Sequence, residues 1–268
     1  MKPQVSVIIP TLNEERHIKT CLQSVKNQNT KAFEIIVVDN FSKDKTTKIV
    51  QNFTSKCFQK GPERSSQRNF GAEKAKGDWL LFLDADMKAP KSLIGNCLLK
   101  IYKNPKIKAL IIAERVNRKG YWSKCRNLEK RVYFGNDYLE AARFVNRKTF
   151  LKIGKFDEEL IAGEDWDLTS KLQEERYKIE RLKTPLVNFE ETTLGSSLRK
   201  KFYYGTKIGK YISKHPINAK KQLSFSRSAL FFKNLNSDDF IYVPGLLLLK
   251  LLEFLAGGVG FIYSKTKK

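Results

Sequence analysis

The feature that most constrains the fold is a repeat of short apolar runs separated by helical patterns in the first half of the chain. The runs are Val5–Ile9, Glu34–Val38 and Trp79–Leu83. Continuous apolar runs of this length are typical of strands that are buried on both faces of a sheet. Strand and helix alternate in units of about 30 residues, which predicts an α/β fold with a mostly parallel central sheet and helices on both faces.

Polar side chains follow each of these runs, at the point where the predicted strand ends. They are Thr11, Asn13, Glu14, Asp39, Asp84 and Asp86. Ligands of open α/β sheets bind beyond the carboxyl ends of the strands, so these side chains are candidates for a common site. For Asp39 and Asn40, ordinary turn chemistry is an equally simple interpretation.

Asp84 and Asp86 are the most informative of these residues. Residues two apart in an extended segment point to the same side, and two carboxylates suit a Mg²⁺ or Mn²⁺ ion that carries a phosphorylated ligand. Phosphatases also place two acids after a strand, but their pattern is Asp-X-Asp-X-Thr. Here Asp86 is followed by Met87 and Lys88, which argues against a phosphatase.

Two further segments carry candidate chemistry. Arg64 and Arg68 are four residues apart on a predicted helix, so both can face phosphate oxygens or form a solvated pair near Glu63. Residues 163–168, Gly-Glu-Asp-Trp-Asp-Leu, open another helix with three acids. Acids favour a first helical turn through the helix dipole, but a carboxylate held here could also act as a general base.

The charge balance implies an anionic partner. Fifty-one Lys and Arg against 28 Asp and Glu give a net charge of +23, and the stretch 199–233 contains no acid. Basic residues also alternate with Tyr121, Trp122, Tyr133, Phe134 and Tyr138, a pattern that can bind single-stranded nucleic acid. A nucleic-acid-binding protein would leave the acids at the strand ends unexplained, so nucleic acid is not the expected partner. A solvated basic surface remains the simple alternative for many of the lysines.

The termini and the cysteines bear on location. Four cysteines without paired spacing predict neither a disulfide framework nor a zinc site, and the N-terminal run is too short for a signal peptide, which predicts a cytoplasmic protein. Residues 241–263 carry only Lys250 and Glu253 as charges. We expect a short helix over Pro244–Ala256, ended by the glycines at 257 and 258. Its one charged face favours an interfacial helix, peripheral or monotopic on the inner face of the cell membrane, over a membrane span or a buried core helix.

Taken together, these motifs resemble the family-2 glycosyltransferases, inverting enzymes of the GT-A fold. The resemblance rests on residues 5–14, residues 35–46, Arg68-Asn69, Asp84-Ala-Asp86 and residues 163–168, and it covers residues 4 to about 210. It implies a GT-A domain at 1–212, with a nucleotide-binding half at 1–113 and an acceptor-binding half at 114–212. Residues 213–268 would form a C-terminal helical membrane-associating extension.

The resemblance also implies individual roles. Thr11, Asn13 and Glu14 would line the base and ribose site, Asp39 would bind the nucleobase, and Arg68 would face the diphosphate. Asp84 would contact the ribose or the metal site, Asp86 would bind Mn²⁺ or Mg²⁺, and Asp165 would deprotonate the acceptor beside Glu164 and Trp166. Many relatives carry a metal-binding His where Asn188 stands here, and we interpret His215 as a solvated residue.

The implied donor is a UDP- or GDP-linked sugar. The implied acceptor is a glycan or a polyprenyl-linked lipid at the cytosolic membrane face, with a soluble enzyme that acts on a non-lipid acceptor as the alternative.

Overall fold

The computed structural model describes residues 3–117, 119–136, 139–189, 193–224 and 235–267; Tyr138 lies outside these ranges. The strands are β1 Val5–Thr11, β2 Phe33–Asp39, β3 Cys57–Gln59, β4 Trp79–Phe82, β5 Met87–Lys88, β6 Ile107–Val116, β7 Ala142–Asn146 and β8 Lys178–Asn188. The helices are α1 Ile18–Lys26, α2 Thr46–Gln51, α3 Arg64–Lys74, α4 Leu93–Lys103, α5 Tyr121–Val132, α6 Arg147–Lys152, α7 Glu164–Glu174, α8 Leu194–Lys207, α9 Gly209–Lys214, α10 Pro216–Leu223 and α11 Val243–Thr266.

The strands form one sheet in the order β3-β2-β1-β4-β7-β6-β8-β5. Neighbouring strands from β3 to β4 are parallel, as are β6 and β8, whereas β7 runs antiparallel to both of its neighbours and β5 runs antiparallel to β8. The predicted mostly parallel sheet is therefore confirmed. The reversed strand β7 has a consequence for the site, because its amino end lies at the edge where the parallel strands have their carboxyl ends.

Helices cover both faces of the sheet, as predicted. On β1, Val7 and Ile9 belong to a core with α1 and α4, while Ile8 belongs to a second core with α3, α6 and α7. Because successive side chains of a strand point to opposite faces, a run that is apolar at every position can fill both cores. This arrangement holds the carboxyl ends of β1, β2 and β4 at a single edge.

Two strand boundaries differ from the sequence prediction. Pro10 does not end β1, which continues to Thr11 opposite β2. Since β4 pairs with β1 only as far as Ile8, a residue without an N–H is tolerated beyond that point. Pro185 does not end a strand either, because β8 passes through it with a register shift against β6.

The predicted end of the C-terminal helix is wrong. Helix α11 runs through the glycines and is 24 residues long. A β-carbon on Gly260 would collide with the carbonyl of Phe202, and one on Gly205 would collide with the carbonyl of Gly257. These glycines therefore let α8 and α11 approach closely instead of terminating a helix. The helix α8, on which α11 packs, is followed directly by α9, and Ile208 separates the two.

The charges of α11 also face a different way than expected. Lys250 and Glu253 are buried, where Lys250 contacts Glu129 of α5 and Glu253 contacts Arg126. The charged face of α11 thus packs inside the protein, and a different, apolar face is exposed. The division of the chain at residue 212 stays a prediction. Helix α11 lies beyond that position but packs on α5 and α8, which lie before it.

Candidate functional site

A cavity of about 910 Å³ lies over the carboxyl ends of β1 and β4. The loop after β1 forms one wall and the loop after β4 forms the floor, which is where a parallel sheet gathers its ligand-binding residues. Five of the predicted site residues line it together with Asp165: Thr11, Asn13, Glu14, Asp84 and Asp86. The structure thus brings together side chains that are up to about 150 residues apart in sequence.

Asp39 is fully buried at the end of β2, below this cavity. Its carboxylate accepts hydrogen bonds from the backbone N–H of Ser42, at 2.8 Å, and from the Ser42 hydroxyl. Asn13, in the left-handed conformation with φ of 53°, accepts from the Lys43 N–H at 2.9 Å and so fastens the β1 loop to the β2 loop. In this conformation Asp39 has the turn role, and its contact with a nucleobase stays a prediction.

Thr11 has an unusual environment. Its side chain is 3% exposed, and its hydroxyl has no hydrogen-bond partner among the described residues. Buried hydroxyls are normally paired, so an unpaired one in a cavity wall points to a ligand that supplies the partner. Gln67, which the sequence reasoning missed, closes the floor beside it by donating to the carbonyls of Thr11 and Val38.

Arg68 connects the two acids that the sequence assigned to different tasks. It is 1% exposed and donates to Asp84 at 2.7 Å and to Asp165 at 3.1 Å. Its guanidinium also lies 5.2 Å from the centre of the Phe156 ring. Arg68 therefore sits beneath the carboxylates and fixes their relative position, while Arg64 lines the cavity itself.

Arg143 and Glu114 extend this network and were not foreseen. Arg143 is buried, donates to the second oxygen of Asp84 at 3.2 Å, and also donates to Glu114. Lys130 contacts the other oxygen of Glu114 at 2.9 Å. Glu114 follows the sequence rule, since it lies near the carboxyl end of β6. Arg143 breaks that rule because it lies at the amino end of the antiparallel strand β7.

The arginines determine the charge state of these carboxyl groups. Burial disfavours the charged form of Asp84, but Arg68 and Arg143 outweigh burial and hold the pKa of Asp84 well below its ordinary value. For Glu114, Lys130 and Arg143 likewise outweigh burial and lower the pKa to about 2. Both acids are therefore permanently ionised at neutral pH, and Asp84 is held rigidly from two sides.

The residues present are compatible with a divalent cation at Asp86. Asp86 is partly exposed to the cavity, and Asn188, the residue opposite Met87, lines the same wall. The backbone N–H of Phe189 donates to the carbonyl of Asp86 at 2.9 Å and holds the two segments together. No group of three or more His, Cys, Asp or Glu side chains that could hold a metal is found among the described residues. Mg²⁺ needs only one or two protein oxygens when phosphates and waters complete its shell, so this donor set fits.

Glu164 and Trp166 lie on either side of Asp165 at the start of α7. Glu164 is buried beside Arg64 at 3.2 Å, and burial together with the charge of Asp165 raises the pKa of Glu164. Trp166 packs against the ring of Tyr211 and lines a second cavity, of about 520 Å³. Asp165 lines both cavities and is 31% exposed. It is thus the carboxylate at the junction between them.

The interpretation of His215 as a solvated residue is wrong. Its Nε2 lies 2.8 Å from Asp167, and its side chain is 9% exposed. Asp167 is fully buried and also contacts Lys171 and Lys214. The third acid of the 163–168 segment therefore joins α7 to α9 and has a structural role.

Comparison with known proteins identifies a family. A family model described as glycosyl transferase family 2 matches residues 6–156, which include β1, β4 and the Asp84–Asp86 loop. An uncharacterized glycosyltransferase of Haemophilus influenzae is 28% identical over 233 residues, which cover 81% of this chain and 79% of that protein.

Another relative has a described activity. GalNAc(5)-diNAcBac-PP-undecaprenol beta-1,3-glucosyltransferase of Campylobacter jejuni is 27% identical over 187 residues, covering 60% of this chain and 57% of that protein.

Solved structures share the fold. The mannosyltransferase PcManGT from Pyrobaculum calidifontis, in complex with GDP-Man and Mn²⁺, superposes with a TM-score of 0.72 at 15% identity over 99% of this chain and 88% of that one. Residues 1–349 of TarS from Staphylococcus aureus superpose with a TM-score of 0.58 at 18% identity, covering 100% and 92% of the two chains.

Proposed function

Because this chain belongs to glycosyl transferase family 2 and is a glycosyltransferase, we propose that it transfers a sugar from a UDP- or GDP-linked donor with inversion. The donor would occupy the first cavity, and the acceptor would enter from the second. The observation that carries this proposal is the position of Asp165, which lines both cavities. A base at their junction can reach an acceptor hydroxyl while the donor is held on the other side.

The proposed reaction is a single displacement. The acceptor hydroxyl attacks the anomeric carbon, the bond from that carbon to the diphosphate oxygen breaks, and Asp165 takes the hydroxyl proton. Arg68 keeps Asp165 in place through its 3.1 Å contact. A Mn²⁺ or Mg²⁺ ion held by Asp86 and Asn188 would offset the negative charge of the diphosphate. Arg64 and Lys200, which line both cavities, add positive charge near the same leaving group.

The test is a thermal-shift screen of nucleotide diphosphates and nucleotide sugars with Mn²⁺. Ligand binding to the folded state raises Tm, by an amount equivalent to about 2.7 kcal/mol at one hundred times Kd. We expect a rise with a UDP- or GDP-linked compound that Asp86→Ala abolishes. Asp78→Ala, at the opposite end of β4, is the matched control and should keep the rise. Wild-type protein that responds to no uridine or guanosine compound would contradict the proposed donor site.

We further propose that the enzyme works at an anionic membrane surface on a glycan or polyprenyl-linked acceptor. Helix α11 is long and apolar enough to cross a membrane, and a third of its most apolar window is buried in the protein. Its outer face carries an apolar stripe that is 45–64% exposed: Leu248, Leu251, Leu255, Val259 and Ile262. Helix α11 packs on α8, which is basic. An apolar stripe beside a basic helix favours a helix that lies on a bilayer.

Sedimentation with anionic phospholipid vesicles tests this part. Truncation before Ile241 is unsuitable, because Val243, Leu246 and Leu249 of α11 form a core with α5. We expect wild-type protein to sediment with the vesicles and the triple variant Leu251→Ser, Leu255→Ser, Val259→Ser to stay in solution. Leu99→Ser with Tyr102→Ser, a similar change on exposed α4, should sediment like the wild type. Equal sedimentation of all three proteins with the vesicles would contradict a role for α11. Wild-type protein that stays in solution would favour an enzyme that acts without the membrane.

A further inference from the structure

The second cavity combines an apolar wall with lysines. It lies between the start of α7, the helices α8 and α9, and α11. Its apolar wall includes Ile208, Ile212, Phe254 and Phe261, and its basic residues include Lys200 and Lys201. Such a combination suits an amphiphile that has an anionic group next to an apolar chain.

Lys201, which lines the second cavity, has no direct partner among the residues that the structure describes. Beside it, Arg126 contacts both Glu129 and Glu253. Lys250, which lines the cavity together with Glu253, contacts the same two carboxylates at 2.7 and 2.8 Å. Each acid of this cluster is therefore already shared by two cations. Lys201 makes no direct hydrogen bond or ion pair with any residue in the described part of the chain, and with it the cluster has three positive charges against two negative ones.

An excess positive charge in such a place is unfavourable. Burial and the charge of Lys250 lower the pKa of Lys201 to about 7, although Glu253 and Glu129 partly offset Lys250 and Arg126. An anion that entered the cavity would favour the charged form of Lys201. The protein is thus arranged to gain from binding an anion here, since ligand binding would supply the missing counter-charge.

The geometry also defines where an attached chain and an attached hydroxyl would lie. Asp165 lines both cavities and so marks the side of the second cavity that faces the first, whereas Phe254 lines the second cavity and is 52% exposed on the same helix as the apolar stripe of α11. A ligand that has its anionic group at Lys201 can therefore present a hydroxyl to Asp165 and extend its apolar chain past Phe254 toward the stripe. This order of groups is that of a long-chain alcohol joined to a saccharide through phosphate.

We propose that the second cavity binds the phosphate group and the first apolar units of a phosphate-linked lipid acceptor, with Lys201 as the phosphate ligand and Ile212 and Phe254 against the chain. This inference rests on the proposed glycosyl transfer and specifies the class of its acceptor. Helix α11 then contributes to the acceptor site as well as to membrane contact.

The test uses the full chain and farnesyl diphosphate as the probe. Calorimetric titration is done in the presence of a saturating donor nucleotide, so that the probe cannot bind through its diphosphate in the first cavity. We expect Lys201→Met to weaken probe binding by about tenfold or more. Lys201→Arg should retain binding, and Lys207→Met, an exposed lysine on the same helix, should equal the wild type. Methionine removes an unpaired charge, so Lys201→Met should also keep or raise Tm.

Two companion ligands separate the sources of affinity. Farnesol tests the chain alone and inorganic pyrophosphate tests the anion alone; we expect each to bind at least tenfold more weakly than the probe. Raising the pH from 6.5 to 8.5 should weaken probe binding to the wild type relative to Lys201→Arg, because only lysine loses its proton in that range.

Pyrophosphate that binds as tightly as the probe would overturn the lipid assignment, and equal probe binding by the wild type and Lys201→Met would overturn the site. Titration of the nucleotide sugar in the same proteins separates the two proposals. If the donor binds but Lys201→Met does not change the affinity for farnesyl diphosphate, only this inference is rejected. If the wild type does not bind the donor, the proposed function is rejected.

Discussion

The two cavities that meet at Asp165 are built in opposite ways. The first is formed by loops at strand ends, and its charges are already paired in a chain that runs from Glu114 through Arg143, Asp84 and Arg68 to Asp165. The second is formed by packed helices with apolar walls, and its cation Lys201 has no direct partner among the described residues. The first site is therefore organised before any ligand arrives, whereas the second is completed by the ligand.

This difference is reflected in the pKa values of Asp84 and Glu114, which the paired cations lower, and of Lys201, which burial lowers. A carboxylate held between two arginines keeps its charge and position, which suits a site that must align a donor. A lysine whose pKa lies near 7 changes its charge with its surroundings.

Asp165→Asn removes the proposed base at the junction. We expect transfer to fall by about 10²–10⁴-fold, the usual contribution of general base catalysis, because asparagine cannot take the proton. Donor affinity should stay close to that of the wild type, since Arg68 still has Asp84 and Glu164 as partners. Glu174→Gln, at the exposed end of the same helix, controls for α7 and should remain active. An Asp165→Asn enzyme with wild-type turnover would remove the proposed role of this carboxylate.

Arg143→Met breaks the paired network of the first cavity. It leaves Glu114 with Lys130 alone and frees one side of Asp84, so we expect the free energy of unfolding to fall by about 3–5 kcal/mol, as for a broken buried ion pair. Denaturant titration measures the loss. Arg115→Met, an exposed arginine on β6, should change stability by less than about 0.5 kcal/mol. Similar curves for the two variants would mean that the network contributes little rigidity.

Gly260→Ala tests the helix packing that forms the second cavity. The added β-carbon meets the backbone of Phe202, so α8 and α11 must separate, and we expect a loss of about 1–3 kcal/mol. Gly258→Ala is the matched control because a β-carbon there meets open space. It should be neutral or stabilising by about 0.5–1 kcal/mol, since alanine favours a helix. Equal effects of the two substitutions would contradict the close crossing of these helices.

The smallest expected effect is a pH dependence of stability due to Lys201. Its folded-state pKa is lowered from 10.5 to about 7, so the unfolded chain binds more protons between those values. Stability should therefore rise as the pH increases through this window, with the charged lysine unfavourable below it. We expect Tm of the wild type to gain about 2 °C or more, relative to Lys201→Met, between pH 7 and pH 9. Parallel Tm curves for the two proteins would show that Lys201 is solvated.

Most residues of the first cavity could be predicted from the sequence, because the signals that reveal them lie within short segments. A buried strand and the polar residue that ends it are neighbours in sequence, so Thr11, Asp84 and Asp86 follow from strand periodicity and from the rule about carboxyl ends. Arg143 could not be predicted as a site residue, because nothing in its own segment shows that β7 is antiparallel. The one local indication of a special role is that Arg143 is a charged residue within the otherwise mostly apolar segment of β7.

The second cavity could not be predicted from the sequence, because it is formed by contacts between helices that are far apart in the chain. The pairing of Arg126 with Glu253 joins residues 127 apart, and that of His215 with Asp167 joins residues 48 apart. Gly260 is a helix breaker by local propensity, but the nearby backbone of Phe202 in α8 makes it a packing residue. Tertiary contact, which no short window of sequence contains, decides each of these cases.

The most direct test of the division between the cavities is a crystal structure of the protein with Mn²⁺, donor nucleotide and farnesyl diphosphate. Anomalous scattering locates the Mn²⁺ ion without reference to the surrounding density. The predicted result is a manganese peak at coordination distance from Asp86, the nucleotide in the first cavity and the farnesyl chain against α11 in the second. Nucleotide in the second cavity, or manganese away from Asp86, would contradict it.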